Sequence, residues 1–273
     1  MTRIDRRALF ASGAAAALLA ATGVSLAGTP KTGGTLRLAV PRDDSLEQVA
    51  RGAVFDTLTE IAPDGTLRGE LASGWQTDAE ARIWTFDLRD GVTFHDGAPL
   101  RGEDVIAILS EFGRAEALAP NRVLVELAGS TPDLPFRLAD NRFVIARQGQ
   151  GVTPLQDANG TGCYRVERAQ DHRHFLGRRV AGHYKDGQAG WVDAVEIIVI
   201  PDAAIRAEAL RDGFVDVAAL PMPDDLRTRR GFRFHPSESD MALAVAPSVG
   251  MPRQIAGRGV LDDGRIAERW WMT

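Results

Sequence analysis

The chain has 273 residues, 44% hydrophobic and 25% charged, with a formal net charge of −5. That is ordinary globular composition, with apolar material for a sizeable core in one large or two small domains, so no disulfide or metal staple is required. The acidic balance does not suggest a nucleic-acid partner, which would favour a basic face.

Residues 1–27 read as an export signal. Arg3, Arg6 and Arg7 precede an Ala-rich run from Ala11 to Ala21, and Val24-Ser25-Leu26-Ala27 supplies small residues for cleavage between Ala27 and Gly28. Asp5-Arg6-Arg7-Ala8-Leu9-Phe10 is similar to the twin-arginine export motif, with Arg6 and Arg7 as the pair. Losing three Arg and one Asp with this segment takes the net charge from −5 to −7. The single cysteine, Cys163, has no internal partner, which suits a soluble periplasmic protein.

Past Gly33-Gly34, the alternation of Leu36, Leu38 and Val40 predicts a strand over 35–40. Ser45 to Leu58 reads as a helix, with Leu46, Val49, Ala50, Ala53 and Val54 on one side. Turns are expected at Asp64-Gly65 and Gln76-Thr77-Asp78. Trp84, Phe86 and Leu88 alternate with Thr85, Asp87 and Arg89, as in an antiparallel strand with one wet face. Asp90-Gly91 is expected to turn that strand back through Val92 and Phe94. Glu103-Asp104 then opens a helix with an apolar stripe at Val105, Ile108, Leu109 and Phe112.

Further strands are expected over 123–127, 143–146, 164–168 and 172–179, the last two as a hairpin, and a short helix over 132–140. Val195 to Ile200 is almost wholly β-branched, the composition of a strand covered on both faces. Pro201 stops it. A helix follows with Ala203, Ala207, Leu210 and Phe214 on one face, ended by Gly213, and then a strand over 215–218. A strand over 241–246 and a Gly- and Pro-rich loop over 248–259 lead to Trp270-Trp271.

Catalytic and metal chemistry finds little support. Ser73 is not in a nucleophile elbow, and neither a phosphate-binding nor a dinucleotide Gly fingerprint occurs. Cys163 shows no neighbouring base, as a nucleophile requires. His172 and His174 share a strand face but lack the further ligands that zinc takes. No cofactor, catalytic residue or metal site is expected.

The order GGTLRLAV, FDTLTEIAPDGTLRGELASGW, WTFDLRDGVTFHDGAPLRGEDV, NGTGCY, VDAVEIIVIPDAAIRAEAL and DGFVDVAAL resembles the family 5 extracellular solute-binding proteins of ABC importers, over roughly Gly33 to Leu220. The resemblance implies an α/β fold: a periplasmic binding protein-like (type II) lobe with mixed β-sheets flanked by helices, over 28–273. It implies binding of peptides or similar small solutes without catalysis, with ABC permease subunits and the twin-arginine export machinery as partners. It also implies a turn at His95-Asp96, which by residue type alone could form a catalytic or metal pair. Only about fifty residues follow Leu220, so the second lobe of the clamshell is expected to be largely missing, and 228–273 to be a short remnant and returning tail.

Two details depart from the family's pattern. Cys163 stands where Pro is usual, and Ala181-Gly182-His183-Tyr184 keeps only the Tyr of an Asn-Pro-x-Tyr motif. By position, the resemblance puts ligand contacts at Arg42, Asp43 and Asp44, where an Asp could meet an amine and Arg42 a carboxylate. Thr161 of the Gly loop and Trp270, as part of a cover over the face of the missing lobe, complete the candidate set. The alternative is an accessory or scaffold protein that kept the lobe and lost transport, with an oligomeric partner in place of the missing half.

Overall fold

The computed structural model describes residues 29–148, 150–152, 154–221, 231–236, 242–252 and 265–273. Arg6, Arg7, Ala27 and Gly28, with the whole predicted signal, lie outside them, as does most of the predicted 248–259 loop.

The alternation read in the first strand is what builds the main sheet. In β1 (Thr35–Val40), Leu36, Leu38 and Val40 face one side and Ala39 the other. On the first side lies α1 (Ser45–Val54), whose Leu46, Val49, Ala50, Ala53 and Val54 are all fully buried. Each such side chain contributes about 1.5–3 kcal/mol on leaving water when large, less for Ala. The helix stops at Val54 rather than Leu58, because Phe55 turns extended and enters the core.

Two short strands, β2 (Thr59–Ile61) and β3 (Leu67–Gly69), pair around the predicted Asp64-Gly65 turn, where Gly65 has φ 82°. Next come β4 (Ala72–Thr77), β5 (Ile83–Leu88), α2 (Gly102–Leu109), β6 (Gly113–Ala119) and β7 (Arg122–Leu127). The four strands form an antiparallel sheet in the order β4-β5-β7-β6.

β5 is as predicted, with Trp84, Phe86 and Leu88 buried. The hairpin after it is not. Gly91 does turn the chain with φ 77°, but β4 and β7 already occupy both edges of β5. Val92–Phe94 instead folds about Asp96-Gly97, where Phe94 N donates to Ala98 O at 2.8 Å and Leu100 N to Val92 O at 2.9 Å. β4 and β6 were not foreseen. Ser73-Gly74 interrupts the pattern of β4, and the Ala- and Glu-rich GRAEALA of β6 has helix-forming composition, overridden by its pairing along β7.

The short helix α3 (Leu134–Arg137) is followed by a 3-10 turn, Asn141–Phe143. The strand expected over 143–146 joins no ladder: Ile145 N donates across the chain to Asp56 O at 2.8 Å. The chain then returns to the main sheet through the hairpin β8 (Tyr164–Gln170) and β9 (His174–Arg179), then β10 (Ala194–Val199), α4 (Ala203–Arg211) and β11 (Val217–Leu220). β12 (Arg233–Pro236), β13 (Ala242–Val245), β14 (Val249–Gly250), α5 (Ile266–Arg269) and β15 (Trp271–Met272) complete the described elements.

The main sheet has seven strands in the order β12-β13-β11-β1-β10-β9-β8. β1 runs parallel to β10 and β11, and the other pairings are antiparallel. α4 covers the face opposite α1, over the small residues Ala39, Ala218 and Ala244. Leu210 of α4 is buried as expected, but Phe214 is 73% exposed, because Gly213 at φ 78° ends the helix and swings the next residue outward. Trp270 and Trp271 are 1% and 3% exposed; Trp270 belongs to the core between α1 and the main sheet.

Candidate functional site

Both long helices that flank the main sheet follow parallel strands, α1 after β1 and α4 after β10. Their N-termini therefore lie at the same end of the sheet, beyond the C-terminal ends of β1, β10 and β11. In α/β sheets this is the end at which ligands bind, in the crevice where neighbouring connections diverge.

Arg42, Asp43 and Asp44 lie there, all exposed. Asp43 Oδ1 accepts from Ser45 N at 2.9 Å, and Asp44 Oδ2 accepts from Gln48 Nε2 at 3.0 Å, so both acids also order the start of α1. Asp202 caps α4 by accepting from Ala204 N and Ile205 N at 2.8 and 3.0 Å. Beneath them Arg206, 2% exposed, ties two strand ends together: it donates to Ala219 O and Ile200 O, each at 2.6 Å, and to Pro201 O at 3.0 Å. Burial lowers its pKa, against the pull of Asp43 and Asp202. The result is a rigid strand end with exposed charges of both signs.

The other two candidates, Thr161 and Trp270, are each 1% exposed and present no surface to a solute. Thr161 belongs to a second constellation, a buried ionic cluster between the two sheets. Lys185 Nζ donates to Asp56 Oδ1 at 2.7 Å, to Glu70 Oε1, and to both Glu268 oxygens at 3.1 and 3.2 Å. Arg265 donates to Glu70 through both terminal nitrogens and to Thr57 Oγ1 at 2.9 Å. Thr161 Oγ1 donates to Asp56 Oδ2 at 2.9 Å, and Arg269 reaches Ile61 O at 2.6 Å and Glu60 at 3.5 Å.

Asp56, Glu70 and Glu268 bring carboxylate oxygens within 4.8 Å of one another, the kind of set that can hold a metal ion. Here the Lys185 ammonium stands among them and supplies the compensating charge. Burial pushes Asp56 upward, but Lys185, His183 and Arg265 outweigh it and hold its pKa far below the usual carboxylate range. Glu60 is held at about 2 by the same balance of burial against Lys185, Arg265, Arg269 and Arg68. Glu70 goes the other way: burial, with Asp56 and Glu60 beside it, raises it to about 7 against the pull of Arg265 and Lys185. Burial likewise raises the Cys163 thiol well above its usual value, so the thiolate needed for nucleophilic chemistry is disfavoured.

The opposed shifts set a pH dependence. Glu70, raised from 4.5, contributes stability below pH 4.5 that is lost as pH climbs through about 7. Asp56 and Glu60, depressed from 3.8 and 4.5, contribute above those values and lose it in stronger acid. Glu70→Gln should therefore gain about 1–3 kcal/mol relative to the wild type between pH 5 and pH 8. Urea titrations of both proteins across that range check this; taking the difference cancels other groups such as His95, which burial lowers. A flat difference would show that Glu70 does not titrate there.

Of the remaining sequence candidates, His95 is structural, its Nε2 2.8 Å from Gly162 O. His172 and His174 do not converge: His172 lies 2.9 Å from Glu47 and His174 2.9 Å from Glu196. The ionic cluster itself was missed. Its sequence signal was slight, a charge inside an apolar run at Phe55-Asp56-Thr57-Leu58 and the i, i+3 pair Arg265 and Glu268.

Comparison with known proteins decides the family. Residues 66–240 match the bacterial extracellular solute-binding proteins, family 5 Middle. The chain belongs to that family. Among its relatives, the probable D,D-dipeptide-binding periplasmic protein DdpA of Escherichia coli is 26% identical over 54% of this chain and 30% of its own length. The nickel-binding periplasmic protein of the same organism is 25% identical over 79% of this chain and 47% of its own. The periplasmic binding protein DppA from Helicobacter pylori, solved with the peptide STSA, superposes with a TM-score of 0.66 at 19% identity, over 76% of this chain and 51% of that one. This family 5 chain thus spans about half the length, or less, of these relatives, and within that span it has the α/β fold of periplasmic binding proteins.

Proposed function

We propose that this family 5 chain is the periplasmic substrate-binding component of an ABC-type importer, taking peptides or similar small solutes and binding them without catalysis. Support comes from the family membership and from the names of its relatives, which bind a dipeptide, nickel and a peptide. The observation that carries the reading is the strand-end arrangement: Arg42, Asp43 and Asp44 lie exposed beside the N-termini of α1 and α4, over a floor fixed by Arg206. Exposed charges of opposite sign on a rigid base suit a zwitterion, with Asp43 and Asp44 meeting its amine and Arg42 its carboxylate. Permease subunits are the proposed partners, and twin-arginine export through Arg6 and Arg7 the proposed route to the periplasm.

A thermal-shift screen of di- and tripeptides, free amino acids and a nickel–histidine chelate tests the reading. A solute at a hundred times its Kd stabilises by about 2.7 kcal/mol, or about 5–10 °C for a chain of this size. One of these classes should give such a shift, and Asp43→Asn or Arg42→Gln should abolish it. Asp43→Asn keeps a side-chain oxygen for the Ser45 N–H, so the helix start is preserved. No shift with any class, or a shift unchanged in both variants, would overturn the assignment.

A further inference from the structure

The opposite end of the parallel strands holds a separate cavity of about 270 Å³. Its walls include Trp191, which precedes β10, and Trp271 of β15, together with Pro30, Pro63 and Pro252. Trp191 O accepts from Gly33 N at 2.9 Å, which fixes this cavity at the N-terminal ends of β1 and β10, the length of the sheet away from Arg42. Its volume is just below the range of about 300–1,000 Å³ usual for small-molecule sites, so the occupant is small.

The charges on its walls are unequally satisfied. Glu60 is engaged on both oxygens, by Arg68 Nε at 2.6 Å and by Arg269 at 3.5 Å. Glu268 and Lys185 are bound to each other within the buried cluster. Arg68 is different: its side chain is 53% exposed, and among the described residues only its Nε is hydrogen-bonded, which leaves both terminal amino groups free to donate, although its charge also acts on Asp64. The Gln188 amide, also on the wall, makes no side-chain hydrogen bond among the described residues. The cavity therefore offers flat apolar walls and unfilled donors, while its carboxylates are already paired. A guanidinium with two free amino groups is suited to a carboxylate, and indole faces to a ring.

We propose that this cavity binds a small carboxylate bearing one flat apolar ring, with the carboxylate on Arg68 and the ring against Trp191. Such a group occurs in a free aromatic acid and in the C-terminus of a peptide ending in Phe; the site reads the chemistry the two share.

Calorimetric titration of the full chain tests this with 3-phenylpropionate, the dipeptide Ala-Phe, and 2-phenylethylamine as the charge-reversed control. The expected result is binding of one or both acids with Kd of about 1 mM or tighter and no heat from the amine. Arg68→Gln should weaken the acid at least tenfold. Trp191→Leu, which leaves every charge in place, should weaken it as well, and Asp43→Asn should leave it unchanged, which keeps this site distinct from the strand-end site. Binding of both acids points to a peptide C-terminus as a source, and binding of 3-phenylpropionate alone to a free acid. Failure of both acids to bind, equal binding of the amine, or binding indifferent to both Arg68→Gln and Trp191→Leu would overturn the proposal.

Discussion

Lys185→Met is expected to destabilise the protein by about 3–5 kcal/mol, the cost of removing one partner from a buried ion pair. The ammonium is held by three carboxylates whose side chains are at most 2% exposed. Without it, Arg265 is the one ion-pair partner left to Asp56, Glu70 and Glu268 among the described residues, and carboxylate charge is left undercompensated out of water. Methionine keeps the length and flexibility of the side chain, so lost volume does not confuse the result. Urea unfolding measures the change. Adding Glu70→Gln to the same protein should recover part of the loss, since Arg265 then has one carboxylate fewer to compensate, and a double-mutant cycle yields the coupling between the two side chains. A Lys185→Met protein as stable as the wild type would mean that the cluster is not the electrostatic centre described here.

Trp270→Ala should cost a similar amount, about 3–5 kcal/mol, through a different mechanism. Trp270 is 1% exposed and packs in the same core as Leu46, Ala50 and Phe55, directly beside the ionic residues of α5. Its removal leaves a cavity rather than a charge, so the loss should be nearly independent of pH where that of Lys185→Met is not. Increased binding of an apolar dye under native conditions would accompany it. A melting temperature within a degree of the wild type would show that the indole is peripheral.

The contrast between these side chains explains what could be read from the residues alone. Periodicity located β1, α1, β5 and α2, because each buries one face against a neighbour and the spacing records that burial locally, and β-branched composition located β10. It failed at β6, where the ladder with β7 decides against a helix-forming composition, and at Val92–Phe94, where two distant strands had taken the expected edges. Family resemblance supplied the fold, and it drew attention to Tyr184 but not to Lys185 beside it.

The ionic cluster was illegible for a plainer reason. Positions 56, 70, 185 and the pair 265 and 268 come from four separate stretches of chain, and a Lys or Glu that will be buried looks like any surface Lys or Glu until its partners are in place. The strand-end residues Arg42, Asp43 and Asp44 became candidates through position in the family order, whereas Arg206, which holds the strand ends beneath them, has no local signature beyond lying on a helix.

At the centre of this account is the claim that residues 265–273 are part of the core, held there by charge at Arg265 and Glu268 and by packing at Trp270. The most direct test is a melting curve with an apolar dye for a chain ending at Gly264, compared with the full chain. The account predicts a fall of about 10 °C or more and strong dye binding at low temperature. Equal melting temperatures and equal dye signals would contradict it.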